Sequence, residues 1–186
     1  MPNLRAIAIG VFFAWIFIDG IAVFRLRTGA AENRDKASMK VLMVANMLTW
    51  WFCIAWSFRA TGAMDRPELQ WLGLGLLALG IAIRSTAIVQ LGRFHTPNVA
   101  ILGDHQLLET GLYRHVRHPS YLGALVAFVG FGLALGNWIS LAAVVVVMPA
   151  TYLFRMHEED AALLSAFGDS YRAYCQRTKR LIPWIY

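Results

Sequence analysis

Side chains that can do chemistry are concentrated in two segments of this otherwise apolar sequence. Residues 92–120 hold four of the five histidines, together with Tyr113, three arginines and two prolines. The second segment is the run Arg155-Met156-His157-Glu158-Glu159-Asp160. Carboxylates bind hydroxyl and ammonium groups, histidines bind carboxylates, and tyrosine rings can face cations. The two segments therefore suit the binding of a polar small molecule that carries charge.

The histidines also raise the question of a metal site. His115 and His118 alone would supply too few ligands for zinc, and no His-Glu-x-x-His pattern occurs. We therefore expect no metal. No strand is predicted and no glycine-rich phosphate loop occurs, which excludes a Rossmann cofactor domain.

The composition indicates that lipid surrounds most of the chain. Of its 186 residues, 58% are hydrophobic and 15% are charged, whereas soluble domains are about 45–50% apolar and about 25% charged. The apolar residues come in long runs, so we predict an all-α, polytopic membrane protein. The formal charge of +6 comes from residues beside these runs, which favours membrane orientation over nucleic-acid binding. Cys53 and Cys175 are expected at different membrane depths, so both are predicted to be free thiols.

Hydropathy and turn signals predict about five transmembrane helices. Three spans cover residues 6–24, 41–58 and 69–91, each close to the roughly 20 residues that cross a bilayer. Residues 121–154 are too long for one helix, and Gly136-Asn137 within them is a turn signal. This region is therefore predicted to be a hairpin of two helices.

The last helix is expected to carry the second polar segment out of the membrane. Pro149 is predicted to bend it, and the helix should continue past Arg155 into water. We divide the chain into three N-terminal helices, residues 1–91, and a functional region, residues 92–186, that contains the hairpin and both polar segments.

Loop charge predicts the orientation of the bundle, because cytoplasmic loops carry an excess of lysine and arginine. Basic residues cluster after the first span, after the third span and at the end of the chain. They are Arg25, Arg27, Arg34 and Lys36; Arg93, Arg114 and Arg117; and Arg172, Arg177, Lys179 and Arg180. With five spans the N-terminus lies outside and the C-terminus lies in the cytoplasm. Trp56, Trp71 and Trp138 then fall together at the outer interface, as aromatic belts do.

Both polar segments resemble one family of membrane enzymes. The first match is Gly92-Arg93-Phe94-His95-Thr96-Pro97 with His105, followed by Gly111-Leu112-Tyr113-Arg114-His115-Val116-Arg117-His118-Pro119-Ser120-Tyr121-Leu122-Gly123. The second is Glu158-Glu159 followed by Leu163-Leu164, Phe167-Gly168, Tyr171, Tyr174 and Arg180-Leu181-Ile182-Pro183. Together they resemble the isoprenylcysteine carboxyl methyltransferase family and related phospholipid methyltransferases, over roughly residues 92–183.

The resemblance implies a small all-α enzyme that binds S-adenosylmethionine in a cytoplasmic C-terminal pocket and takes a lipophilic or lipidated acceptor from the membrane. It implies a catalytic role for Glu158 and cofactor contacts from a larger set: His105, Leu107, Gly111, Tyr113, His118, Tyr121, Glu158 and Glu159. Adjacent helical side chains point about 100° apart. We therefore expect only one of the two glutamates to line the pocket directly.

Simpler interpretations of these residues remain open. The two glutamates can mark the point where a helix enters water, and His118-Pro119 can be a helix start, because proline favours the first helical position. Arg84 can extend toward the cytoplasmic headgroups, or it can orient an acidic acceptor and so take a catalytic role.

Two other functions compete with methyl transfer. A membrane reductase of the sterol-reductase type would bind NADPH, and Arg93, Arg114 and Arg117 are compatible with its 2′-phosphate. The paired glutamates favour the methyltransferase. A membrane scaffold or transporter would place polar residues inside the spans, where almost none occur.

Overall fold

The structure is a computed structural model that describes residues 3–26, 37–95, 107–183 and 185–186. Helices dominate this part of the chain, and no strand occurs in it; single backbone bridges join Ala63 to Asn137 and Val116 to Lys179. The six α-helices are α1 Leu4–Leu26, α2 Ala37–Ser57, α3 Pro67–Leu91, α4 Pro119–Ala134, α5 Trp138–Phe167 and α6 Asp169–Arg177. Short 3-10 helices cover Gly92–Phe94 and Gly111–Arg114.

The helices have the lengths and compositions of a polytopic membrane protein. Four candidate spans in the described residues are long and apolar enough to cross a bilayer: Leu4–Ala22, Met39–Ser57, Pro67–Phe94 and Trp138–Phe167. The fifth apolar helix, α4, has 16 residues, or about 24 Å at 1.5 Å per residue. The predicted all-α membrane fold is confirmed. Cys53 and Cys175 are free thiols, as predicted.

The predicted hairpin is present as α4 and α5. Gly136 has a φ of +68°, in the left-handed region that glycine adopts without steric cost. The Asn137 side chain caps α5 by accepting hydrogen bonds from the backbone N–H groups of Ile139 at 2.9 Å and Ser140 at 3.2 Å. Helix α5 continues through Pro149 and past Arg155, as the sequence predicted.

Glycines bring α3 and α4 into backbone contact. A Cβ atom on Gly80 would collide with the backbone of Ala127, and one on Gly123 would collide with the backbone of Arg84. Small residues permit such close approach of membrane helices. This packing places Arg84 on α3 beside the first turn of α4.

The C-terminal segment pairs with the loop that precedes α4. The backbone N–H groups of Arg117 and His118 donate to Lys179 O at 2.9 Å and Arg180 O at 3.1 Å. The Tyr174 hydroxyl donates to Tyr113 O at 2.7 Å. The described parts of both polar segments are therefore held at one end of the bundle.

Trp56, Trp71 and Trp138 lie at the opposite end of the bundle, near the ends of α2, α3 and α5. Backbone hydrogen bonds join the two connections there, from Met64 N to Gly136 O and from Trp138 N to Gly62 O, both at 2.8 Å. The tryptophans and the two polar segments are thus separated by the length of the bundle.

Candidate functional site

His118 and Asp160 form the centre of a polar cluster where α4 begins and α5 leaves the bundle. His118 is 3% exposed, and its Nε2 lies 2.7 Å from Asp160 Oδ1. His118 directly precedes Pro119, the first residue of α4. The residue therefore lies at the predicted helix start and also contacts Asp160 through its side chain.

Asp160 contacts three protein side chains. Its Oδ1 also accepts a hydrogen bond from the Tyr171 hydroxyl at 2.5 Å, and Arg180 Nε lies 2.8 Å from Oδ2. Burial and the bond to this carboxylate raise the pKa of Tyr171. Asp160 therefore fixes the orientation of the His118 ring. The sequence shows Asp160 only as the last residue of the acidic run, because its partners before α4, on α6 and in the C-terminal segment are distant in sequence.

Glu159, the residue before Asp160 on α5, faces the same cluster. The Tyr121 hydroxyl donates to Glu159 Oε2 at 2.5 Å, and His118 Nδ1 lies 3.9 Å from the same oxygen. The rings of His118 and Tyr121 stack, with centroids 5.5 Å apart. The Glu158 side chain makes no hydrogen bond or ion pair within the described part of the chain, and it points about 100° away from that of Glu159.

A cavity of about 240 Å³ lies inside the bundle beside this cluster. Helices α1 to α5 all contribute to its wall. One part of the wall is polar and the rest is apolar or aromatic. The polar part consists of Asp19, Asn46, Arg84, His95, Tyr121 and Arg155, and the remaining part includes Trp15, Met39, Leu42, Met43, Trp50 and Phe128.

Arg84 is ion-paired inside the bundle. Its Nε and Nη2 donate to Asp19 Oδ1 at 2.9 Å and Oδ2 at 2.8 Å, and the two side chains are 14% and 16% exposed. Its Nη1 lies 3.5 Å from Ser120 O. Arg84 was predicted from the sequence as a candidate site residue, but its partner Asp19 was not. One sequence feature could have identified Asp19, because a carboxylate within a membrane span requires a partner.

His95 follows α3 and also faces the cavity. Burial and the neighbouring Arg84 lower the pKa of His95 to about 4, although Glu159 and Asp19 act in the opposite direction. The side chain is therefore neutral near pH 7. His115 and His157, by contrast, are exposed.

The remaining residues implied by the resemblance lie around the 3-10 helix Gly111–Arg114. Tyr113 is 6% exposed, and its hydroxyl donates to Ala87 O at 3.3 Å, so this hydroxyl is engaged with α3. Burial raises the pKa of Tyr113. Gly111 has a φ of +59°, and Leu107 is half-buried. His105 lies outside the described residues.

A groove of about 830 Å³ lies on the other side of the cluster, between α5, α6 and the C-terminal segment. Asp160 and Tyr171 line it, together with several basic side chains: Arg117, Arg172, Arg177, Lys179 and Arg180. Within the described chain, the polar cluster therefore separates a basic groove from a largely apolar cavity in the bundle. Asp160 and Tyr171 face the groove, whereas Tyr121 faces the cavity.

Comparison with known proteins identifies a family match that includes most of this site. Residues 71–165 match the model of the isoprenylcysteine carboxyl methyltransferase (ICMT) family. The matched region contains Arg84, His118, Tyr121 and the acidic run of α5, but not Asp19.

Two curated relatives agree with this match. The protein-S-isoprenylcysteine O-methyltransferase of Schizosaccharomyces pombe is 39% identical over 118 residues, which cover 62% of this chain and 50% of the yeast protein. The chain therefore spans half of that relative. A probable protein-S-isoprenylcysteine O-methyltransferase of Oryza sativa subsp. indica is 28% identical over 184 residues, covering 92% of this chain and 96% of the rice protein.

A solved structure shares the fold. The eukaryotic intramembrane Ras methyltransferase ICMT, determined without a monobody, superposes with a TM-score of 0.73 at 24% sequence identity. The superposition covers 100% of this chain and 68% of that one. The likeness confirms the membrane helical architecture of the described bundle.

Proposed function

Because the chain belongs to the isoprenylcysteine carboxyl methyltransferase family, we propose that it transfers a methyl group from S-adenosylmethionine to a lipophilic acceptor within the membrane. One observation carries the proposal. The family match includes the polar cluster of His118, Tyr121 and Glu159, and this cluster lies between a basic groove and the cavity in the bundle.

The cofactor binds along this cluster from the aqueous side. Glu159 or Glu158 binds the ribose hydroxyls or the ammonium group, and Tyr121 faces the sulfonium. His118 and nearby backbone N–H groups bind the cofactor carboxylate. We expect Leu107, Gly111 and Tyr113 to complete the wall around it, and His105 to contact the cofactor as the resemblance implies. S-adenosylmethionine supplies the electrophilic methyl carbon, and methyl transfer from it is an in-line displacement, so positioning contributes most of the catalysis.

The acceptor occupies the cavity between the helices. A volume of about 240 Å³ is below the roughly 300–1,000 Å³ of pockets that enclose a whole drug-sized ligand. It suits one end of a lipophilic molecule whose remainder lies in the bilayer. Arg84 is the cation that meets an acidic acceptor there. The named relatives act on S-isoprenylcysteine, and we propose the carboxylate of a prenylated cysteine as the acceptor group.

The cofactor distinguishes this function from a reductase. We expect isothermal titration calorimetry of the purified protein to show binding of S-adenosylhomocysteine with a dissociation constant near 1 µM, about −8 kcal/mol. Binding of NADPH without binding of the adenosyl ligand would contradict the proposal.

A second measurement tests transfer itself. Protein in detergent or nanodiscs, supplied with methyl-labelled S-adenosylmethionine, should label N-acetyl-S-farnesyl-cysteine. A lipophilic thiol and a phospholipid amine serve as alternative acceptors. Labelling of one of these alone would retain the methyltransferase and reject the carboxylate acceptor.

A further inference from the structure

Asp19 is a partly buried acid that lines the cavity and has no role in the proposed reaction. It lies in the candidate span Leu4–Ala22 and is 16% exposed. A carboxylate inside a membrane is costly unless it is paired. Asp19 also lies outside the region that matches the family. The family match therefore assigns no role to Asp19.

The contact between Asp19 and Arg84 uses one edge of the guanidinium. Nε and Nη2 form that edge, and each donates to one carboxylate oxygen, at 2.9 Å and 2.8 Å. Nη1 has only a contact of 3.5 Å with Ser120 O, which is longer than an ordinary N–H···O hydrogen bond. A guanidinium has five N–H donors. The outer edge, formed by Nη1 and the second N–H of Nη2, can therefore donate to a further oxygen atom.

Positive and negative charges around the cavity are close to balanced. Two arginines, Arg84 and Arg155, and one carboxylate, Asp19, line it. A second carboxylate, Glu159, lies behind Tyr121 and accepts a hydrogen bond from its hydroxyl. Electrostatic attraction is strong where water is scarce. An anionic acceptor is thus held less tightly by a paired Arg84 than it would be by an arginine without a carboxylate partner.

We propose that Asp19 is a positioning residue that sets the acceptor preference of the cavity. It neutralises Arg84 and occupies one edge of the guanidinium, so that the acceptor carboxylate reaches only the outer edge and stays weakly bound. The inference rests on the proposed methyl transfer to a carboxylate. In that step a carboxylate oxygen forms the bond to the methyl carbon, and the carbon–sulfur bond breaks. Its electron pair stays on sulfur, which yields a methyl ester and S-adenosylhomocysteine with no proton transferred.

Weak binding of the acceptor carboxylate in the ground state favours methyl transfer. The carboxylate loses its negative charge as the ester forms, so an unpaired arginine would stabilise the ground state more than the transition state. Such an arginine would lower KM and kcat together. Asp19 prevents this by keeping Arg84 neutralised. Replacement of a residue needed only for packing would not lower KM and kcat together.

The wild-type protein provides the first test. Binding of N-acetyl-S-farnesyl-cysteine and of its carboxamide is measured in the presence of S-adenosylhomocysteine, whose sulfur carries no charge. We expect the two affinities to agree within about threefold, because Arg84 is already neutralised. A preference of more than about tenfold for the carboxylate would overturn the proposal without any variant.

Asp19→Asn provides the second test, with Asp65→Asn as the matched control, since Asp65 is exposed at the opposite end of the bundle. In Asp19→Asn we expect a carboxylate preference of about tenfold, with both KM and kcat lowered for the acid acceptor. An unchanged preference or a raised KM would contradict the role of Asp19. S-adenosylhomocysteine binding verifies that the variant is folded; if it is not, the wild-type comparison decides alone.

The same measurements distinguish failure of the proposed methyl transfer from failure of the proposed role of Asp19. Wild-type protein that neither binds S-adenosylhomocysteine nor labels any acceptor would reject methyl transfer itself. Active wild-type protein with a strong preference for the charged acceptor would reject only the role of Asp19.

Discussion

Glu159, rather than its neighbour, touches the aromatic and histidine side chains at the start of α4. We expect Glu159→Gln to weaken S-adenosylhomocysteine binding by roughly 1.5–3 kcal/mol, the usual value of a hydrogen bond to a charged group. Glu158→Gln is the matched control, because it removes the same charge one position away. Calorimetry on both variants measures the difference. A larger loss for Glu158→Gln would assign the cofactor contact to Glu158, the residue that sequence analysis favoured.

The pair of Arg84 and Asp19 allows stability and activity to be separated. Arg84→Ala leaves Asp19 without its partner inside the bundle, which we expect to cost about 3–5 kcal/mol of stability. Replacing both residues with leucine removes the unpaired charge and should restore thermal stability in detergent. We still expect this double variant to lose affinity for the acid acceptor while it retains S-adenosylhomocysteine binding. Wild-type turnover by the double variant would limit Arg84 to a structural role.

At the scale of elements, the contact between α3 and α4 positions Arg84 against the start of α4. A methyl group at Gly80 meets the backbone of α4, whereas the same group at Gly75 meets nothing within 4 Å. We therefore expect Gly80→Ala to destabilise the bundle by about 1–3 kcal/mol. Gly75→Ala should be neutral or slightly stabilising, by up to about 1 kcal/mol, because alanine favours the helix. Thermal unfolding in one detergent compares the two variants. Equal melting temperatures would show that α3 and α4 can move apart to accommodate the methyl group without a loss of stability.

At the scale of the whole molecule, the polar segments and three tryptophans lie at opposite ends of the bundle. Within the described residues, the basic side chains before α4 and in the C-terminal segment lie with the polar segments, whereas Arg27, Arg34 and Lys36 lie outside those residues. We therefore expect that end to face the cytoplasm. A reporter fused after Tyr186 should then be active only on the cytoplasmic side, and one fused before the first helix only on the outer side. The reverse pattern would contradict the orientation and the aqueous route proposed for the cofactor.

The position of the cavity also predicts how the acceptor arrives. Apolar side chains of α1 and α2 line it, and neighbouring apolar side chains such as Phe17 and Met43 are 71% and 61% exposed on the surface of the bundle. We expect kcat/KM to rise with the length of the acceptor's hydrocarbon chain, because each buried methylene contributes about 0.8 kcal/mol. Rates for prenylated and truncated acceptors measure this. Equal rates for a fully water-soluble acceptor would count against access from the bilayer.

Local sequence determined the elements and the family. Long apolar runs predict membrane helices because the bilayer requires every backbone group to bond within its own helix. The hairpin followed from Gly136-Asn137, where a left-handed glycine and a capping side chain act within a few residues. The family followed from two ordered motifs. These signals are local, and they do not depend on how the helices pack.

Only the tertiary structure decided which side chains meet. Asp19 and Arg84 are 65 positions apart, and Asp160 joins His118 to Tyr171 and Arg180 across three separate segments. The two glutamates differ by one position, yet only Glu159 faces Tyr121 and His118. Such contacts depend on the rotation and spacing of neighbouring helices. Between α3 and α4, glycines set that spacing through backbone packing. Hydropathy is insensitive to that rotation, because lipid-facing and buried positions of these helices are both apolar.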